Sequence, residues 1–162
     1  MKKKVAIIGV TGSVGQEFVQ SLNDHPWFEV TQIAASERSA GKQYLDAIRD
    51  ANGIVAWDVG GKIPDYIKEM TVLTIDEVDI SELDLVFSAV ESVAARDIET
   101  KFAKDLPVIS SSSAYRYEED VPLLMPGINA EQEELLEVQK RNRDWKGWVA
   151  PLPNCTTTGL AI

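Results

Sequence analysis

A single cysteine, Cys155, stands among the 162 residues, so no disulfide framework can form within the chain, and a lone thiol suits a reducing compartment. The only histidine is His25, in Asp24-His25-Pro26, which reads as a surface turn. Basic residues are scarce: 16 Lys and Arg stand against 26 Asp and Glu, a formal net charge of −10. That balance disfavours nucleic acid and anionic membrane as partners, yet it leaves an anionic cofactor open, because phosphate binding needs only local donors. No apolar run approaches the roughly 20 residues of a membrane span. Lys2-Lys3-Lys4 followed by residues 5–10 imitates the start of a signal peptide, but the apolar part is too short and runs into glycine. There is no internal repeat, no low-complexity run beyond the four serines at 110–113, and no set of metal ligands to single out. What remains is a cytoplasmic, globular chain of one-domain length that can bury a real core.

What the chain does contain begins at Lys4-Val5-Ala6-Ile7-Ile8-Gly9-Val10-Thr11-Gly12-Ser13-Val14-Gly15-Gln16. Residues 5–8 are apolar without alternation, as in a strand buried on both faces of a parallel sheet. Of the three glycines that follow, Gly9 permits a tight turn, Gly12 lets phosphate approach the backbone, and Gly15 lets a helix pack close to the strand. Ser13 and Gln16 have capping-box spacing, and Val14, Phe18, Val19 and Leu22 form an apolar helix stripe. A strand, a glycine turn and a helix N-terminus make a phosphate site. The spacing is G-x-x-G-x-x-G and not G-x-G-x-x-G, so a plain strand-to-helix turn is the competing reading.

A second strand is expected over residues 28–35. A cofactor without a 2′-phosphate usually meets an acidic residue at the end of that strand. Here the chain reads Ser36-Glu37-Arg38-Ser39-Ala40-Gly41-Lys42. Two hydroxyls, a guanidinium and an ammonium suit a 2′-phosphate, with Arg38 able to pair bidentately, so NADP is favoured over NAD. Glu37 is expected to face solvent. A solvated surface loop is the alternative.

Further strands are expected at 70–75, 83–89, 107–109 and 148–150. A helix is expected up to Lys104 with the stripe Ala94, Ala95, Ile98, Phe102 and Ala103. Another starts at Asn129, with Gln132 placed for a capping box and Glu137 and Arg141 paired at i,i+4. Residues 41–68, broken by Gly53, Gly60, Gly61 and Pro64, do not resolve into elements. The alternation implies an α/β fold, a Rossmann-like doubly wound parallel sheet, with ligands at the carboxyl ends of the strands. The glycine turn, residues 36–42, 88–92 and 110–116, and Cys155 all follow expected strands, so one shared site is expected.

Cys155 lies in Pro151-Leu152-Pro153-Asn154-Cys155-Thr156-Thr157-Thr158-Gly159. With a helix from Thr156 onward, free backbone N–H groups and the helix dipole favour thiolate over thiol. A thiolate can attack a carbonyl carbon, and Asn154 offers an amide N–H to the developing oxyanion. A small buried hydrophobe is the bland alternative.

Together these segments resemble the N-terminal part of aspartate-semialdehyde dehydrogenase, of the archaeal and fungal branch. The resemblance is carried in order by residues 9–16, residues 35–42, Val86-Phe87-Ser88-Ala89, residues 110–116, Val121-Pro122-Leu123-Leu124-Met125-Pro126, and Pro153-Asn154-Cys155-Thr156-Thr157. It implies NADP-dependent reductive dephosphorylation of L-aspartyl-4-phosphate to aspartate semialdehyde through a Cys155 thioester, in lysine, threonine and methionine synthesis. By similarity Thr11, Gly12, Ser13 and Val14 hold the pyrophosphate, Ser36, Arg38 and Ser39 the 2′-phosphate, and Ser88 and Ala89 line the cleft. Arg116 meets the substrate phosphate, unless it is a surface arginine paired with Glu118 or Glu119. Asn129 is placed near the nicotinamide. At Gly127 many relatives carry Glu or Thr.

The family's second domain supplies a histidine acid/base and a carboxylate-binding arginine, neither of which this chain provides, and His25 does not match that base. The expectation is therefore an NADP-binding domain at 1–154 and the start of a catalytic domain at 155–162. Such a fragment would be inactive alone, with exposed apolar surface and poor solubility. The full-length form is expected as a homodimer or homotetramer. A malonyl- or succinyl-CoA reductase, an N-acetyl-glutamyl-phosphate reductase and a noncatalytic NADP-binding module are the alternatives.

Overall fold

The computed structural model describes residues 1–161, which fall in two compact units, Met1–Ala89 and the residues from Val90 onward. The first unit holds strands β1 (Lys3–Ile8), β2 (Phe28–Ala34), β3 (Val72–Leu73) and β4 (Leu85–Ser88) with helices α1 (Ser13–Ser21) and α2 (Tyr44–Ala47). Its strands run in the order β3-β2-β1-β4, and every pairing is parallel. β1 lies between β2 and β4, which is why Val5, Ala6, Ile7 and Ile8 can be apolar without alternation: all four are fully buried. Each buried Val or Ile there is worth roughly 1.5–3 kcal/mol relative to exposure. The β1–β2 register slips between Val5 and Ala6, where Thr31 is the extra residue.

The helical faces depart from the expected stripes. In α1 the buried positions are Gly15, Gln16 and Val19, while Val14 is exposed. Ser13 is the first helical residue, Gly12 is the N-cap and no side chain caps the helix, so the capping box does not form. Phe18 instead packs on Phe87 of β4 at 5.1 Å between ring centroids. The region left without elements contains α2, a 3-10 turn at Asp65–Ile67 and two isolated antiparallel bridges, Gln43 with Thr71 and Arg49 with Val55. The expected strand at 70–75 shortens to β3. His25 is a turn residue as expected: its Nδ1 accepts the N–H of Trp27 and of Phe28, each at 3.3 Å.

The second unit holds α3 (Ser92–Ala103), β5 (Pro107–Ser110), α4 (Glu134–Arg143), β6 (Trp148–Pro151) and α5 (Cys155–Ala161). β5 and β6 pair in parallel from Pro107↔Trp148 to Ser110↔Pro151. α3 buries Ala95, Phe102 and Ala103 of the expected stripe and adds Glu99, while Ile98 is half-buried and Ala94 is exposed. Glu99 is buried because it accepts the Ser110 hydroxyl at 2.6 Å. Gln139 of α4 holds β6 as a strand would: its Oε1 accepts Val149 N–H at 2.7 Å and its Nε2 donates to Val149 O at 3.0 Å. Asn129 caps nothing with its side chain and a 3-10 turn precedes α4, so the second capping box is also absent. Glu137 pairs with Lys140 at 2.7 Å, not with Arg141. Among the described residues no helix is long and apolar enough to cross a membrane.

A charged cluster fastens the 115–120 segment to α3 and α4. Arg143 binds Asp120 at 2.5 Å and Glu118 at 3.3 Å, Arg96 binds Glu118 at 2.6 Å, and both guanidiniums lie over the Tyr115 ring. The Arg143 hydrogen bond holds the Asp120 carboxyl below the usual carboxylate range, and the one from Arg96 does the same for Glu118. A depressed folded-state value gives stability that is full above the unfolded carboxyl range, near about 4, and lost as pH falls through the folded value. Denaturant midpoints should therefore fall steeply below about pH 4. Asp120→Asn, less stable at neutral pH, should lose less on that descent; an unchanged acid limb would remove Asp120 as its cause.

Candidate functional site

The first unit carries a cleft of ≈ 540 Å³ between the glycine turn and the segment after β2. Thr11, Arg38, Ser39 and Lys42 line it together with residues of the 47–56 stretch. The turn is built by hydrogen bonds that only its backbone shape allows. Gly9 and Val10 both donate to Ala34 O, at 2.8 and 3.2 Å, and Gly9 O accepts from Gly12 N–H at 3.2 Å. Gly9 has φ +80°, a left-handed conformation that favours glycine. The Tyr44 hydroxyl reaches Val10 O at 3.4 Å from beneath, and burial pushes its phenol well above the usual range, so it stays a donor.

Three features fit this cleft to an anionic nucleotide. Among the described residues Arg38 and Lys42 have no carboxylate partner, so both cations are available to a ligand. Ser39 is 2% exposed and its hydroxyl has no hydrogen-bond partner among the described residues. A Cβ at Gly12 would lie 3.7 Å from Gly9 O, an ordinary contact, so steric crowding within the protein does not demand glycine there, whereas a ligand against the backbone would. Glu37 is exposed and does not line the cleft, as expected. Ser36 is exposed beside it, its carbonyl accepting from Ser39 and Ala40 N–H at 2.8 and 3.1 Å.

Other site residues of this unit lie outside that lining. Ser13 and exposed Val14 begin α1, and the Ser13 hydroxyl donates to Asp58 at 3.0 Å. Ser88, buried, ends β4, and Ala89 N–H donates to Ile8 O at 2.8 Å. Sequence reasoning missed Arg49 and Asp50, both in the lining. Arg49 is held by Asp46 at 3.2 Å and by Gly53 O at 2.8 Å; Asp50 Oδ1 accepts Asn52 and Ile54 N–H. The Asn52-Gly53 turn signal was the available clue, but a turn between unrecognised elements points nowhere.

In the second unit Cys155 is exposed and opens α5, one residue earlier than expected. Asn154 acts as its cap: Oδ1 accepts Thr156 N–H at 2.9 Å, and its carbonyl accepts Thr158 N–H at 2.9 Å. Using Oδ1 this way leaves the Nδ2 donor unengaged among the described residues. The buried-hydrophobe reading of Cys155 does not hold. Arg116 pairs with neither Glu118 nor Glu119. Its Nε donates to Leu152 O and its NH2 to Ser111 O, both at 3.0 Å, which ties the approach to the cysteine turn onto the serine loop. Asn129 spends its amide on its own loop, with Oδ1 accepting Met125 N–H at 2.7 Å and Nδ2 donating to Leu123 O at 2.9 Å.

The family model for the semialdehyde dehydrogenase NAD-binding domain matches residues 4–136. The chain belongs to this family. Among curated relatives, aspartate-semialdehyde dehydrogenase of Archaeoglobus fulgidus is 44% identical over 163 residues, covering 100% of this chain and 45% of that protein. Malonyl CoA reductase (NADP) of Metallosphaera sedula is 36% identical, over 98% of this chain and 43% of that protein. Among solved structures, the crystal structure of aspartate-semialdehyde dehydrogenase with NADP from Candida albicans superposes with a TM-score of 0.83 at 36% identity, covering 99% of this chain and 45% of that one. This semialdehyde dehydrogenase homologue is thus an α/β, Rossmann-like NAD(P)-binding domain that spans about 45% of the length of such relatives.

Proposed function

We propose that the protein carrying this chain is a cytoplasmic, NADP-dependent aspartate-semialdehyde dehydrogenase, a homodimer or homotetramer, in which residues 1–154 serve as the nucleotide-binding domain and 155–162 open the catalytic part. It converts L-aspartyl-4-phosphate to L-aspartate 4-semialdehyde, a step toward lysine, threonine and methionine. The observation that carries this reading is the thiol turn, where an exposed Cys155 at the first position of α5 has Asn154 capping the same turn. In a family member so placed, the thiol is free to meet an acyl carbon.

The roles are those that resemblance to the family implies. Thr11, Gly12, Ser13 and Val14 would hold the pyrophosphate, with Ser36, Arg38 and Ser39 on the 2′-phosphate and Ser88 and Ala89 beside the nucleotide. Cys155 Sγ bonds to the acyl carbon, and the C–O bond to phosphate breaks, releasing inorganic phosphate and leaving a thioester. Asn154 Nδ2 and the Cys155 N–H donate to the oxyanion formed on the way. Arg116, braced by two carbonyls, can turn its remaining N–H groups to the leaving phosphate. NADPH, when bound, supplies the hydride that reduces the thioester carbon. The C–S bond then breaks, freeing the aldehyde and returning the thiolate.

The decisive assay supplies the full-length protein with aspartate semialdehyde, phosphate and NADP, and separately with malonyl-CoA and NADPH. Phosphate-dependent NADPH formation in the first alone supports the proposal. Activity in the second alone moves the assignment to the acyl-CoA reductases, a reading favoured by the 36% identity to the Metallosphaera enzyme. Activity in neither, with NADP still bound, fits a noncatalytic binding module.

Arg38 carries the cofactor preference. Arg38→Ala is expected to weaken NADP roughly 10- to 100-fold, the worth of charge-assisted hydrogen bonds, while NAD affinity stays nearly constant. Equal losses for both nucleotides in calorimetry would deny Arg38 a 2′-phosphate contact.

A further inference from the structure

The two walls of the nucleotide cleft are joined by one buried side chain. Gln16 is 1% exposed. Its Nε2 donates to Ala56 O at 2.9 Å and to Thr11 O at 3.3 Å, and its Oε1 accepts Asp58 N–H at 2.7 Å. Thr11 and Ala56 both line the cleft, from opposite stretches of chain. The 56–58 stretch is tied on through Ala56 N–H to Ile48 O at 2.9 Å, and Ile48 also lines the cleft. Asp58, held by the amide, takes the Ser13 hydroxyl. Both donors and the acceptor of this amide are therefore committed to keeping the glycine turn and the facing segment at a fixed separation.

We propose that Gln16 is a positioning residue for the cofactor, setting the width of the cleft without touching the nucleotide. This rests on the reading of that cleft as the NADP site. Leucine at this position has nearly the same volume but leaves Thr11 O, Ala56 O and Asp58 N–H without partners. Those groups recover hydrogen bonds only by moving to water, which separates the walls. Glutamate keeps the acceptor for Asp58 N–H but sets a carboxylate oxygen against two carbonyl oxygens. Protonation restores a donor at that oxygen, so the Gln16→Glu variant carries a pH signature that a loss of core packing would not.

The test is calorimetric titration of the full-length protein with NADP and with NAD at pH 8 and at pH 5.5. Wild type, Gln16→Leu and Gln16→Glu are compared, with circular dichroism recording the fold at the titration temperature. Gln16→Leu should bind both nucleotides about tenfold or more weakly, by similar factors, since the glycine turn serves both. Gln16→Glu should show a comparable deficit at pH 8 and regain most of it at pH 5.5, read as the ratio to wild type so that titration of the cofactor's own phosphate cancels. A folded Gln16→Leu with wild-type affinity overturns the proposal, as does a Gln16→Glu deficit that is the same at both pH values. If Gln16→Leu does not fold, the near-isosteric glutamate variant decides alone. Wild type that binds no NADP instead removes the cofactor reading, and the proposal with it.

Discussion

Cys155→Ser in the full-length protein should abolish turnover, by about four orders of magnitude or more, while NADP binds as before. The size follows from what is removed. Loss of the nucleophile in a covalent mechanism leaves only binding and oxyanion stabilisation, and losses of about 10⁴- to 10⁶-fold are typical. Serine is close to cysteine in shape, and its greater polarity costs little at an exposed position, so the effect should not come from misfolding. Cys155 is exposed, and an exposed substitution away from special contacts moves stability by only about 0.5 kcal/mol. Nucleotide affinity should hold because the cleft is lined by first-unit residues alone, from Thr11 to Ala56. The same logic gives Asn154→Ala a smaller but real deficit. It loses one oxyanion donor, worth roughly 10²–10³ in kcat where such donors have been removed, and also the cap on α5. Turnover of Cys155→Ser within tenfold of wild type in a coupled assay would end the thioester mechanism and return the chain to the binding-module reading.

Features fixed by local chemistry were legible in the sequence. The unalternating run from Val5 to Ile8 announced a strand flanked on both sides, and β2 and β4 flank it. The functions assigned to Gly9 and Gly15 rested on backbone sterics, and the turn has that geometry. Arg38, Ser39 and Lys42 were recognisable because phosphate chemistry needs those residue types after a second strand, and all three line one cleft. What failed was anything decided by a distant segment. Ser13 and Gln16 have ideal capping spacing, but Gly12 takes the cap position and the 56–58 stretch claims both side chains. That stretch belongs to the region with no periodicity to read. In α3 the expected Ala95, Phe102 and Ala103 are buried, but Glu99 also turns inward to meet the Ser110 hydroxyl, and no helical pattern signals a buried carboxylate. Arg116 was assigned to the substrate phosphate, with a neighbouring acid as the alternative; no motif signalled that carbonyls of Ser111 and Leu152 would hold it. Their proximity depends on β5 lying against β6.

Gly15→Ala and Gly12→Ala should separate folding from cofactor binding within one turn. A Cβ at Gly15 would lie 2.2 Å from Gly9 O and 2.7 and 2.8 Å from Val10 Cα and C. All three are backbone atoms, so no rotamer change relieves the overlap. The turn cannot back away either, because Gly9 N–H and Val10 N–H are both spent on Ala34 O and Gly9 O receives Gly12 N–H. Relief requires α1 to lift from β1, which strips Val19 and Gln16 from the buried face. Overpacking of this kind costs about 3 kcal/mol or more, to be read as a drop in the denaturant midpoint at constant slope. Gly12 presents the opposite case. With φ −79° and 3.7 Å of clearance, alanine is tolerated by the fold, and its cost should be limited to about 1 kcal/mol, from alanine's poorer standing at an N-cap. Its added methyl projects where a pyrophosphate would meet the helix N-terminus, so NADP affinity should fall about tenfold or more, as expected when a charged ligand loses close backbone donors. A Gly15→Ala protein within 1 kcal/mol of wild type would contradict the steric account. A Gly12→Ala protein with unaltered NADP affinity would move the phosphate away from this turn and take the assignments of Thr11, Ser13 and Val14 with it.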